Sequence, residues 1–144
     1  WRFCGRPNPF LPRKRTDMTT KDFTTPPAIL IQGTHGADNA EKATLPFIVG
    51  NVSATADQDT VVFLTSDAVW LATRGYADNI TFAEHPPAGK ILADFVANGG
   101  RVWACGACTG PRGIAADDLV DGAAIVTAAN LAEALVAGAA TVAF

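Results

Sequence analysis

The feature that most constrains the fold is a series of short apolar runs separated by helical patterns. The runs lie at 28–32, 60–64, 101–104, 123–126 and 141–144. Continuous apolar runs of this length are typical of strands buried on both faces of a parallel sheet. Helical patterns between such strands indicate right-handed crossover connections. The sequence therefore predicts an α/β protein, a three-layer α/β/α sandwich on a mainly parallel sheet of about five strands.

Local signals place the helices between these strands. A capping-box pattern that begins at Asp38 predicts the start of the first helix, which Pro46 is expected to kink or shorten. Ser66 or Asp67 is expected to cap a second helix. A third helix is predicted after the proline pair at 86–87, because proline suits the first helical position. A fourth is predicted between the last two strands.

Length and charge limit the number of domains and the classes of partner. The 144 residues, of which 49% are apolar, amount to one domain. Residues 1–17 hold five cations and one acid, whereas residues 18–144 hold six basic and thirteen acidic side chains. An acidic body without a Lys/Arg cluster predicts no nucleic-acid partner and no docking onto anionic lipid.

Residues 1–26 are predicted to be a disordered or artefactual N-terminal extension, and residues 27–144 a single domain. Segment 1–17 is rich in Pro and Arg and has neither an amphipathic helical pattern nor a long apolar stretch. We therefore expect Met18 to be the true start, with a transit peptide as the alternative. Segment 122–144 is nearly uncharged but divides into shorter patterns, so no membrane span is predicted.

Chemically useful side chains follow the strands of the predicted sheet. In open parallel sheets the ligand site lies beyond the carboxyl ends of the strands. Thr34 and His35 follow the first strand, Asp67 follows the second, and Cys105 and Cys108 follow the third. His35 is a candidate for proton transfer and Asp67 for acid–base work, although a solvated histidine and a helix cap are the simpler interpretations.

The cysteine loop, residues 105–108, carries the sharpest chemical signal. The amides of this loop, at Gly106 and its neighbours, and Arg112 are expected to stabilise a thiolate, lower its pKa and raise its reactivity. Two cysteines three residues apart can form a disulfide or pass sulfur between them. The alternative for Cys105 is a small buried hydrophobic residue.

Other interpretations of the cysteine pair are disfavoured by count or spacing. A zinc site needs about four ligands, and the body offers two cysteines and two histidines, so no metal is predicted. A thioredoxin-type site is disfavoured because the pair follows the third strand and 110–111 (Gly-Pro) is expected to delay any helix. Dinucleotide and P-loop glycine motifs are absent from the sequence, and no cofactor is predicted.

Three segments carry a resemblance to a known family. They are ILIQGTHGADNAEKATLPF at 29–47, VVFLTSDAVWLATRGYAD at 61–78, and RVWACGACTGPRGI at 101–114 followed by DDLVDGA at 117–123. Together they resemble the DsrE/DsrF-like proteins, which implies a DsrEFH-like fold. In sulfur-relay members a cysteine after the third strand, ahead of an Arg-Gly pair, carries persulfide sulfur. Cys105 matches that position, seven residues before Arg112-Gly113. With Cys108 as its second cysteine, the segment 105–108 resembles the CGxC loop of uncharacterised single-chain relatives labelled peroxiredoxin-like.

The resemblance favours a cytoplasmic sulfur-relay protein, a persulfide carrier or sulfurtransferase-like protein that uses Cys105. Arg112, Gly106, His35, Thr34 and Asp67 are the candidates for binding or stabilising its substrate. Two alternatives remain open. One is a thiol redox protein that cycles a disulfide between its two cysteines, and the other is a non-catalytic oligomeric binding module. The resemblance implies homo-oligomers, with sulfur donor and acceptor proteins as further partners. Two body cysteines without a signal peptide favour a reducing compartment.

Overall fold

The computed structural model describes residues 23–144, which build one five-stranded parallel sheet. Its strands are β1 (Ile29–Gly33), β2 (Thr60–Leu64), β3 (Arg101–Cys105), β4 (Ala123–Val126) and β5 (Ala140–Ala143). They lie in the order β4-β3-β2-β1-β5, and every neighbouring pair is parallel. The predicted α/β class is confirmed, and each strand starts and ends within one residue of its apolar run.

Helices and 3-10 turns connect the strands. The α-helices are α1 (Ala40–Thr55), α2 (Ala88–Ala97), α3 (Gly106–Thr109) and α4 (Ala128–Val136), and the 3-10 segments are Ser66–Ala72, Ala77–Asn79, Gly110–Arg112 and Ala116–Asp118. No helix within residues 23–144 is long and apolar enough to cross a bilayer.

The start of α1 differs from the prediction. Asn39 is the N-cap, and its side chain accepts the backbone N–H of Lys42 at 3.1 Å. Asp38 instead accepts the N–H of Gly36 at 2.7 Å, so its carboxylate shapes the loop after β1. Pro46 lies inside α1 without ending it. The local capping pattern therefore placed the cap one residue too early, because two adjacent residues with cap-forming side chains compete for that role.

The segment after β2 also differs, because it forms a 3-10 helix and has no side-chain cap. Thr65 is its N-cap residue and makes no capping bond. Ser66 has a φ of 52°, in the left-handed region that an α-helix does not contain. The expectation that Ser66 or Asp67 caps this segment is therefore wrong, and Asp67 is used elsewhere in the molecule.

The larger core lies between the sheet and the helices α1 and α2. Phe47 of α1 and Phe95 of α2 are fully buried, with ring centroids 6.3 Å apart. A Cβ added at Gly50 would stand 3.1 Å from the Phe95 ring, so a glycine there lets α1 and α2 approach closely. The same face of the core includes the buried Leu64 and Leu71, which anchor the segment after β2.

The opposite face of the sheet carries a smaller core around Trp103, which is fully buried. The Trp103 indole donates to the carbonyl of Phe23 at 2.6 Å, and Arg101 donates to the carbonyl of Thr25 at 2.8 Å. Arg101 also pairs with Asp59 at 2.9 Å. Residues 23–25, which the sequence assigned to the extension, are thus held against β3. Residues 1–22, with the expected start at Met18, lie outside the described residues.

The β5 side of the sheet is covered least. All four residues of β5 are exposed, and Leu135 and Val136 of α4 are 51% and 90% exposed. Of the helix residues, Ala134 is the one that is buried. The helical layer that contains α4 therefore covers the sheet less completely than the layer of α1 and α2.

Candidate functional site

The two cysteines lie at the carboxyl edge of the sheet, as predicted. Cys105 is the last residue of β3, and Cys108 lies in the one-turn helix α3 that begins directly afterwards. The expected delay before a helix is therefore wrong. A Cβ added at Gly106 would stand 3.1 Å from the carbonyl oxygen of Val126 in β4, so a glycine here lets α3 start close against the neighbouring strand.

The two thiols interact with each other. Both cysteines are free and half-buried, and the neighbouring Cys105 side chain influences the pKa of Cys108. The backbone N–H of Ser66, from the loop after β2, donates to the sulfur of Cys108 at 3.2 Å. The left-handed backbone at Ser66 is part of the loop conformation that presents this N–H.

The pKa of Cys108 is raised above its ordinary value of 9.0. Burial is the largest cause, opposed first by the N–H of Ser66, while interaction with the neighbouring Cys105 thiol raises the pKa further. The Arg112 guanidinium lowers it by the smallest of these effects. Loop amides and Arg112 were expected to lower the thiol pKa overall. For Cys108 that expectation is wrong because burial outweighs them, so Cys108 is protonated at neutral pH.

An ion pair ties the cysteine loop to the loop after β2. Arg112 donates to Asp67 at 2.6 Å and 3.3 Å through two of its nitrogens, and to the carbonyl of Cys108 at 3.0 Å through the third. The two side chains are 28% and 59% exposed, so the pair contributes little stability in water. Its consequence is geometric, because it fixes a guanidinium beside the thiol of Cys108.

Thr34 and His35 form a separate group at the end of β1. The Thr34 hydroxyl donates to the carbonyl of Phe144 at 2.9 Å and also lies 2.8 Å from the Nδ1 of His35. A hydroxyl has one proton, so Nδ1 is the donor in the second contact. The Nε2 of His35 is left to face Asp38, at 3.9 Å. Because β2 lies between β1 and β3, this group is about 10 Å from the cysteine strand.

Two residues near the site, Tyr76 and Gly36, were not among the predicted site residues. The hydroxyl of Tyr76 accepts the N–H of Ala37 at 3.2 Å, and its ring stacks on Trp70 at 5.9 Å. Gly36 lies so close to the loop after β2 that a Cβ there would stand 2.8 Å from the carbonyl oxygen of Asp67. These contacts hold the loops after β1 and β2 together. An aromatic residue and a glycine in loops give no sequence signal for such a role.

A cavity of about 470 Å³ opens beside the cysteine loop. Its walls are Trp70, Thr73, Arg74, Arg112, Gly113, Ile114, Asp117 and Asp118. A second, more apolar cavity of about 470 Å³ lies against α2 and shares Thr73 and Arg74 with the first. Within residues 23–144, no three His, Cys, Asp or Glu side chains are grouped so that they could hold a metal ion.

Comparison with known proteins gives one family and several structural relatives. The family model described as DsrE/DsrF-like matches residues 28–144. An uncharacterised protein of Methanocaldococcus jannaschii is 29% identical over 94 residues, which are 65% of this chain and 34% of that protein. The chain thus spans about a third of the length of this relative.

Two solved structures share the fold. The YchN protein of E. coli has a TM-score of 0.63 and 24% identity, with 82% of this chain and 99% of that chain covered. A protein of unknown function from Methanobacterium thermoautotrophicum has a TM-score of 0.61 and 18% identity, with 81% and 97% covered. At these identities the similarity concerns the fold.

Proposed function

This chain belongs to the DsrE/DsrF-like family, and from that premise we propose that it is a sulfur carrier that holds sulfane sulfur as a persulfide on Cys105. The supporting observation is the placement of two free, half-buried thiols that influence each other at the carboxyl edge of β3. Cys105 also occupies the position of the persulfide cysteine in the sequence pattern. Ligand sites of open parallel sheets lie at this edge.

The proposed transfer is two balanced displacements at sulfur. The thiolate of Cys105 attacks the outer sulfur of a donor persulfide, R–S–SH, the donor S–S bond breaks, and R–S⁻ leaves. Cys105 now carries –S–SH, and no net oxidation has taken place. An acceptor thiolate then attacks that outer sulfur and releases the Cys105 thiolate.

The environment of Cys108 supports Cys105 as the attacking thiol. Burial and the neighbouring thiol raise the pKa of Cys108, so at neutral pH it is a hydrogen-bond donor rather than a nucleophile. Cys105 is therefore the thiol of the pair to which we assign the attack. Gly106 gives the loop room against β4. Asp67 and Arg112 fix the loop that carries Cys108, while Thr34 and His35 take no part in the displacement.

A second candidate function is thiol redox chemistry, favoured by the same placement of two free thiols next to each other. If Cys108 attacks the inner sulfur of the Cys105 persulfide, a Cys105–Cys108 disulfide forms and H₂S leaves with the proton of Cys108. With a peroxide, the Cys105 thiolate would attack one oxygen, the O–O bond would break and an alcohol or water would leave, so that Cys105 becomes a sulfenic acid, which the Cys108 thiol would convert to the same disulfide with loss of water. In both cases an external dithiol must reduce the disulfide before another turnover.

The proposal extends to partners and compartment. We place the protein in the cytoplasm, where two free thiols stay reduced. Its donor and acceptor are thiol-bearing molecules, and it forms homo-oligomers, as the family resemblance implies. The non-catalytic alternative would need neither thiol.

Mass spectrometry of the full chain after exposure to a persulfide donor without reductant tests the proposal. We expect one added sulfur atom on the peptide that contains Cys105, removable by thiols, absent in Cys105→Ser and longer lived in Cys108→Ser. Loading that survives Cys105→Ser and disappears in Cys108→Ser would contradict the assignment of the carrier. Loss of two hydrogens that maps to a Cys105–Cys108 bond would support the redox function, and an unmodified peptide with every donor would leave the binding module.

A further inference from the structure

The cavity beside the cysteine loop has a lining suited to a charged small molecule. One wall is the Trp70 ring, which the stacked Tyr76 ring holds in place. Arg112 forms part of the wall and is bonded to the carbonyl of Cys108. Arg112 therefore links the cavity to the cysteine loop, although no residue of 105–108 lines the cavity itself. Its volume of about 470 Å³ lies in the range of small-molecule sites.

Charges of both signs line this cavity. Arg74 donates to the backbone carbonyl of Asp117, and no carboxylate among residues 23–144 forms an ion pair with it. The carboxylate of Asp117 has no hydrogen-bond or ion-pair partner within the same residues, whereas that of Asp118 accepts the N–H of Ala115 at 2.8 Å. Arg74 and Asp117 thus both line the cavity, both are exposed, and each has bonding capacity to spare.

We infer that this cavity binds a low-molecular-weight thiol that carries an α-amino acid head group, as free thiol or as persulfide. The head-group carboxylate pairs with Arg74 and its ammonium with the carboxylate of Asp117, because such a ligand matches both charges. The thiol end extends past Arg112 towards the cysteine loop. A simple anion would meet the carboxylate of Asp117, and a simple cation would meet Arg74, so a zwitterion fits best. That such a thiol exchanges sulfur here rests on the proposed function, whereas its binding does not.

Binding is measured without sulfur chemistry by using S-methylglutathione, which has the head group and no free thiol. Isothermal calorimetry on the full chain should detect binding that Arg74→Ala and Asp117→Asn each weaken about tenfold or more, as expected for loss of a charge-assisted hydrogen bond. Asp121→Asn is the matched control, because Asp121 lines only the neighbouring cavity. Amide resonances of 112–118 should shift on binding. No binding, or equal binding by all variants, would overturn the inference.

Sulfur loading separates this inference from the proposed function. With glutathione persulfide as donor, Asp117→Asn should raise the KM for loading of Cys105 about tenfold with kcat little changed, while loading from inorganic polysulfide stays as in the wild type. If Asp117→Asn changes loading from neither donor, the cavity does not bind the donor thiol, while the proposed carrier function still stands. That result would favour a protein as the sulfur partner. If S-methylglutathione binds but no donor loads Cys105 with sulfur, the proposed carrier function is wrong, while the inferred binding of an amino acid head group in the cavity still stands.

Discussion

Gly36→Ala tests whether the close approach of two loops holds the site together. The substituted Cβ would stand 2.8 Å from the carbonyl oxygen of Asp67 and 3.1 Å from the hydroxyl of Tyr76. Non-bonded heavy atoms pack best at about 3.5–4.0 Å, so the first distance is a clash. The atom in the way belongs to the backbone, which cannot turn aside as a flexible side chain would. Relief requires the loops after β1 and β2 to move apart, which displaces the loop after β2 as well as the loop after β1.

The magnitude follows from two opposed effects. Overpacking of this kind costs about 1–3 kcal/mol of unfolding free energy, whereas Gly→Ala at an unstrained backbone position returns about 0.4–1 kcal/mol through the unfolded chain. Gly36 is not among the positive-φ glycines, so both effects apply. We expect a net loss of about 1–2 kcal/mol. Gly110→Ala is the matched control, because nothing lies within 4 Å of its Cβ and its φ is −54°.

Urea unfolding of the full chain measures both variants. The midpoint of Gly36→Ala should fall at unchanged slope, and that of Gly110→Ala should equal or exceed that of the wild type. Movement of the loop after β2 also carries the N–H of Ser66 away from the thiol of Cys108, so alkylation of Cys108 should change in Gly36→Ala alone. If Gly36→Ala is as stable as Gly110→Ala and alkylates like the wild type, the two loops are not held by this contact.

Arg112→Ala should raise the pKa of Cys108 further, because it removes a cation that lowers this pKa. The rate of Cys108 alkylation, followed against pH by peptide mass spectrometry, should then rise only at higher pH than in the wild type. A move of this profile to lower pH would contradict the prediction. Because folding raises the pKa of Cys108 above 9.0, its contribution to stability is complete below pH 9.0 and is lost as pH rises through the folded-state pKa. Above pH 9.0 the wild type should therefore lose unfolding free energy that Cys108→Ser keeps, and parallel pH profiles would refute the shift. Gly100→Ala should lower the unfolding free energy, measured in urea, by about 2–3 kcal/mol, because the added Cβ would stand 2.1 Å from the fully buried Phe95 ring. A loss below about 1 kcal/mol would show that the ring can move aside.

The three central strands were predictable because burial on both faces leaves a continuous apolar run, whereas β4 and β5 keep apolar runs with much less burial. Thr60–Leu64 is buried at every position and coincides with its run. The helix after the paired prolines was equally clear, with Pro87 as its N-cap residue. The loops were less so. Asp38 and Asn39 both have side chains that can cap a helix. Asp38 accepts the N–H of Gly36 in the loop after β1, which leaves Asn39 to cap α1, and the sequence alone does not show this division.

The members of the site could be named from the sequence, but their grouping could not. Grouping depends on strand order, which puts β2 next to β3 and thereby joins Asp67 to Arg112. The same order separates His35 from the thiols by one strand. The N–H of Ser66 is a backbone donor in a left-handed conformation, and its identity as serine gives no sign of that geometry.

The protonation of Cys108 connects the two candidate functions of the site. A persulfide on Cys105 lasts only as long as the neighbouring thiol does not attack it, and a protonated thiol is a poor nucleophile. Burial favours the protonated form, whereas the N–H of Ser66 and the charge of Arg112 favour the thiolate. The balance falls on the protonated side, which suits a carrier at neutral pH. Changes that expose Cys108 to water would lower its pKa and turn the same two sulfurs towards disulfide formation and release of sulfide.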